Sequence, residues 1–241
     1  MDTAYVLMHS PLVGPSTWGP VARRLPNAVV PSFLHLADAE PPFWPLVAAT
    51  VAEAAGRLPR DTAVVLVAHS NAGRFMPVVV EAVDRTVEAC VFVDASLPAR
   101  RGMTPGVSPA LLETARRKAD GGRLPPWSQW WDQEEIARMF PDPQTMRAIC
   151  EEQPRLPLSF FEQPIPVPDG WDERPCAFLT FREDRTGSND AAEDATEGDD
   201  PKVRDARERG WPVASLPGRH LHQLVDPDAV AEAIRKLSHS R

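Results

Sequence analysis

Ten residues, VVLVAHSNAG at positions 64–73, constrain this chain more than any other segment. Over residues 62–68 apolar side chains fill both alternating sets of positions. A strand of that composition must be covered on both faces, as a central strand of a parallel sheet is. It runs straight into His69-Ser70-Asn71 and then into residues 72–83, whose composition is helical, with Pro77 marking an early turn or kink. Ala68 and Ala72 flank Ser70 at both second neighbours. A serine on a sharp strand-to-helix turn needs small residues there, because larger side chains collide across the bend. The bend lifts the hydroxyl above the sheet edge. It also brings the N–H groups and positive dipole of the next helix beside that hydroxyl, where an oxyanion would form.

The surrounding sequence repeats the rhythm. Residues 4–8, 29–33 and 89–93 are further strand candidates, and residues 18–25 and 43–58 read as helices. Strands alternating with helices imply a parallel sheet with helices on both faces and right-handed crossovers. The rhythm breaks over residues 98–175, where helical segments at 111–118, 127–140 and 144–152 are interrupted by prolines and carry many aromatic rings. This stretch reads as a helical cap inserted between two strands. Most of its rings are expected to pack on the main body, with Trp127, Trp130 and Trp131 as candidates for lining an apolar substrate pocket. Strand character returns at residues 176–181. An acidic stretch at 183–200 reads as a solvated loop, without the spacing or turn glycine of a calcium site. A helix at 201–209, a short strand at 213–216 and a helix at 227–237 complete an expected six-stranded, mostly parallel sheet.

Composition narrows the function classes. At 241 residues the chain can bury about 70–75% of its unfolded surface, enough for a core without disulfides or metal. Its 26 basic and 34 acidic residues give a net charge of −8, which argues against a broad nucleic-acid footprint. No apolar run approaches the roughly 20 residues that span a bilayer. The opening Met1-Asp2-Thr3 lacks the basic region of a signal peptide. Cys90, Cys150 and Cys176 are odd in number and lack metal-ligand spacing, so free thiols in a reducing, cytoplasmic compartment are expected. Neither a metal nor an organic cofactor is expected, the partner is a small-molecule substrate, and the oligomeric state stays open.

Four motifs in register carry a resemblance. His9-Ser10 is followed by Trp18 nine residues after the histidine; the Ser70 turn comes next; Pro175 precedes Asp184 by nine residues along a strand; and Leu216-Pro-Gly-Arg-His220 precedes Pro227 by seven. Together they resemble the α/β-hydrolase superfamily over nearly the whole chain. The resemblance implies a core of residues 1–97 and 176–241 with a cap at 98–175. It implies a triad in the order Ser70, Asp184, His220, in which His220 accepts the Ser70 proton and Asp184 orients the imidazole. His222 is a rival base. Asp94 is the alternative acid, since some members carry it at the end of the preceding core strand. His9, Ser10 and His69 are expected around the pocket beside the three tryptophans. Asn71 N–H would be one oxyanion donor. The residue that ordinarily supplies the second is here Pro11, which has no N–H, so Leu12 N–H or the Ser10 hydroxyl must replace it. Losing a donor outright costs about 2.7–4 kcal/mol of transition-state stabilisation.

The activity this implies is hydrolysis of a small or medium carboxylic ester, thioester or lactone. Pro11 keeps open a non-hydrolytic lyase, epimerase or cyclase on the same scaffold. A non-catalytic binding protein is the third reading. Arg74 and Arg182 fall near the expected mouth, either as solvated surface residues or as partners for a substrate carboxylate.

Overall fold

The computed structural model describes residues 2–182 and 200–240. Its strands are β1 (Thr3–Met8), β2 (Ala63–His69), β3 (Val87–Val93), β4 (Gly102–Thr104), β5 (Ile165–Val167), β6 (Cys176–Arg182) and β7 (Val213–Pro217). Five of them form the main sheet in the order β1-β2-β3-β6-β7, and each neighbouring pair is parallel. Every residue of β2 is buried. Because side chains alternate across a strand, Val64, Leu66 and Ala68 enter one apolar layer while Val65 and Val67 enter the other. The first layer packs under the helices Trp44–Gly56 and Met76–Ala82, and the second under Trp18, Val21 and the helix Pro227–Ser238. This explains why residues 63–68 of β2 are apolar at every position.

The sixth expected strand shrinks to one rung. Val29 exchanges hydrogen bonds with β1, donating to Tyr5 C=O at 2.8 Å and accepting from Leu7 N–H at 2.9 Å. In a parallel ladder the next residue to bond the same neighbour lies two positions on. That residue is Pro31, which has no N–H to give.

Residues between β3 and β6 are not purely helical. β4 and β5 pair antiparallel near the two ends of the insertion. Between them lie the helices Pro109–Lys118, Gln133–Ala137, Pro143–Glu151 and Ser159–Glu162. The helix expected over 127–140 is broken. A 3-10 turn at Trp127–Gln129 ends before Asp132, whose carboxylate caps the N–H groups of Glu134 and Glu135 and starts a new helix. Pro77 likewise begins the helix Met76–Ala82 instead of kinking one, since a proline in the first turn removes no helical hydrogen bond. The insertion is tied to the body by Phe43 N–H donating to Gln163 Oε1 at 2.8 Å and by Phe160 packing on Phe43 and Phe75.

Candidate active site

β2 ends at His69, and Ser70 then adopts φ 56°, the left-handed region that costs a β-carbon-bearing residue of order 1 kcal/mol or more. The surroundings enforce it. Ser96 N–H donates to Ser70 C=O at 3.0 Å. A Cβ on Gly73 would lie 2.3 Å from Ser96 C=O, so only glycine lets the helical turn after Ser70 sit this close to the β3 loop. Asp94, the first residue past β3, is also left-handed at φ 43° and donates its N–H to Leu179 C=O at 2.7 Å. His220 arrives from the loop after β7. There Gly218 passes His222 so closely that a Cβ would meet its Nδ1 at 2.2 Å.

These three loops bring Ser70, His220 and Asp94 together. Ser70 Oγ lies 2.9 Å from His220 Nε2, and His220 Nδ1 lies 2.5 Å from Asp94 Oδ2. A carboxylate accepts only, so Nδ1 carries the proton and Nε2 is left to accept from the hydroxyl. Burial pushes the Asp94 carboxyl up, but the hydrogen bond and charge of His220 outweigh it, and the group ionises below its usual range. Asp184 lies outside the described residues. His222 is nearly buried with its ring against Phe181, away from Ser70.

The space above Ser70 is lined by Ser10, Leu12, Val13, His69, Trp127, His220 and Leu221 and holds about 10 Å³, room for about one water. Ser10, His69 and Trp127 border this space, and Trp127 stands 6.0 Å from the His220 ring. His9, Trp130 and Trp131 do not border it. His9 sits behind the site, held by backbone bonds to Ser10 C=O and from Phe33 N–H. Trp130 is buried against Phe161 with its indole N–H on Pro125 C=O, and Trp131 is on the surface. Val13 and Leu221 line the space unforeseen; their one sequence signal is adjacency to the two histidine-bearing loops.

Leu12 N–H donates to Ser10 Oγ at 3.4 Å. Having accepted from Leu12, the Ser10 hydroxyl keeps its own proton to donate. Asn71 N–H, the first past the turn, has no acceptor among the described residues.

Two histidines, His69 at the edge of the space and His9 behind it, are held neutral. His69 Nε2 donates to His220 C=O at 2.8 Å, and burial, then the neighbouring His220, lower its pKa to about 3. Burial lowers that of His9 to about 4. Both folded values lie below the unfolded one near 6.5, so the unfolded chain takes up protons first as pH falls. Their contribution is complete above pH 6.5 and is lost progressively toward pH 4. Stability should thus drop between pH 7 and pH 5 by about 2 kcal/mol per histidine. Denaturant midpoints at the two pH values measure this, and midpoints unchanged across the interval would contradict it.

Residues 5–233 match the family described as "Alpha/beta hydrolase family". No curated protein matches the sequence. Among solved structures, an extracellular α/β-hydrolase from a Paenibacillus species, described as sharing homology with tobacco salicylic acid binding protein 2, superposes with a TM-score of 0.71 at 16% identity, covering 99% of this chain and 100% of the other. Polyneuridine aldehyde esterase gives 0.66 at 14% identity over 99% and 100%. A pyrethroid hydrolase from Sphingobium faniae JZ-2 gives 0.66 at 18% over 100% and 98%. With a family match spanning almost its full length and a fold of the same kind, the chain belongs to the alpha/beta hydrolase family.

Proposed function

We propose that the protein is a serine hydrolase acting on a small or medium carboxylic ester, thioester or lactone, with Ser70 as nucleophile, His220 as general base and Asp94 as the acid that orients it. The observation that carries this reading is the unbroken chain of hydrogen bonds from Ser70 Oγ through both His220 nitrogens to Asp94. His220 takes the Ser70 proton as Oγ attacks the carbonyl carbon. It returns that proton to the leaving oxygen or sulfur, then activates the water that releases the acyl group. Relatives of the same fold named as esterases and hydrolases favour this chemistry.

Asn71 N–H and the Ser10 hydroxyl serve as the oxyanion donors, the hydroxyl replacing the amide that Pro11 lacks. Ser10→Ala should then lower kcat about 10- to 100-fold with KM little changed, below the full cost of an oxyanion donor because Leu12 N–H is freed to turn inward. Steady-state kinetics on 4-nitrophenyl acetate check this; an unchanged kcat would remove Ser10 from the role. Residues 98–175 act as a cap over the core formed by residues 1–97 and 176–241, contributing Trp127 to the site. The buried, unbridged Cys90 and Cys176 fit a cytoplasmic setting. No helix among the described residues is long and apolar enough to cross a membrane.

The test is covalent. A fluorophosphonate should label the protein once, on Ser70, and 4-nitrophenyl esters of short acids should be turned over. A second reading, a lyase, epimerase or cyclase using His220 as acid or base, is favoured by Pro11 and by the tightness of the space above Ser70. It predicts no labelling and no ester turnover. That result would replace the hydrolase.

A further inference from the structure

On the other side of the Ser70–Asn71 turn is a larger cavity of about 610 Å³, bordered by Asn71, Arg74, Ser96, Val107, Leu111 and Arg209. Ser70 faces the catalytic space and Asn71 this groove, so the two adjoin through the turn itself. The sequence left Arg74 as either a solvated residue or a carboxylate partner. It is 4% exposed. One guanidinium nitrogen donates to Pro105 C=O at 2.7 Å, and Nη1 is buried with no partner. Burial lowers its pKa only to about 10, so it stays charged at neutral pH.

The neighbouring cations are compensated. Arg209 grips Asp205 through two nitrogens, at 3.1 and 2.7 Å, and lies 5.0 Å over the Trp211 ring. Arg100 reaches Asp205 at 3.0 Å and Glu208 at 3.5 Å. Arg74 has no carboxylate among the described residues. Burying a charge without a counter-charge is strongly unfavourable, and a protein that keeps one beside a cavity gains when a ligand supplies the missing charge.

We infer that this groove binds the carboxylate of a monoanionic ligand, with Arg74 as its counter-ion. The groove and the catalytic space share no lining residue, so this is a ligand site of its own beside Ser70, and it does not depend on the hydrolase reading. One uncompensated cation matches one negative charge; a phosphate dianion would leave excess negative charge close to Asp205 and Glu208. Val107 and Leu111 offer the ligand's chain an apolar wall.

The test measures binding without turnover. The Ser70→Ala protein is titrated calorimetrically with 4-phenylbutyrate and with its neutral amide at pH 7.5. The carboxylate is expected to bind at least tenfold more tightly, and Arg74→Met should reduce that preference to within twofold. If Arg74→Met does not fold, Leu111→Trp, at another residue lining the groove, adds bulk there without removing the charge and should weaken carboxylate binding about tenfold. Equal affinity for acid and amide, no carboxylate binding at millimolar concentration, or a preference that survives both substitutions would overturn the inference. A protein that keeps the preference but resists fluorophosphonate would lose the hydrolase reading and retain the groove.

Discussion

Ser70→Ala is expected to lower kcat for 4-nitrophenyl esters by about 10⁶-fold, while leaving the fold intact. In the proposed mechanism the hydroxyl forms the acyl bond, so its removal stops the reaction at the first step. His220 and Asp94 have nothing left to activate, so the three residues act as a unit and further substitutions should add little. The fold should survive because alanine carries the same Cβ and meets the same left-handed backbone at φ 56° that serine already tolerates. Ser70→Gly is the informative companion. It removes the hydroxyl and the backbone strain together, and should be more stable than Ser70→Ala by about 1 kcal/mol. Stopped-flow traces should show a burst of 4-nitrophenol in the native protein and none in either variant. Turnover by Ser70→Ala within tenfold of native would mean that another group performs the chemistry.

The sharp turn at Ser70 was legible because everything that makes it is local: a two-sided apolar strand, small residues at 68 and 72, and helical composition directly after. His220, singled out by a spacing to Pro227 that resembles the family's histidine loop, is the histidine the structure places against Ser70 Oγ. For the acid the sequence favoured Asp184, which lies outside the described residues, with Asp94 as the alternative; β3 and β6 are neighbours in the sheet, so in sequence the two candidates follow adjacent parallel strands. The left-handed bend at residue 94, which precedes the contact with His220, is one that aspartate tolerates but does not announce. The tryptophans fail for a similar reason. Trp127, Trp130 and Trp131 read as one helical run, but the helix restarts at the Asp132 cap, which leaves Trp127 at the site and Trp131 in solvent. The β4–β5 ribbon escaped because three-residue strands, one containing Pro166, have no periodicity to detect.

Asp94→Asn should therefore be the decisive substitution for the acid, lowering kcat by about 10⁴-fold, whereas Asp184→Asn should stay within about twofold of native. The asymmetry follows from tautomers. With Asp94 ionised, His220 Nδ1 must donate to it and Nε2 must be the basic nitrogen facing Ser70. An asparagine in the same place can present its NH₂ group to Nδ1, which then accepts and drives the proton onto Nε2, where it blocks the Ser70 hydroxyl. The substitution also removes the negative charge that balances the imidazolium formed during attack. Folding should be spared, because asparagine adopts left-handed backbone as readily as aspartate and the Asp94 N–H bond to Leu179 is a main-chain contact. Fluorophosphonate labelling supplies an independent readout: Asp94→Asn should slow it in proportion to kcat, since both need His220 to take the same proton. The opposite pattern, with Asp184→Asn collapsing while Asp94→Asn remains active, would assign the carboxylate to residue 184. It would also make the Asp94–His220 contact a resting arrangement that the reaction does not use.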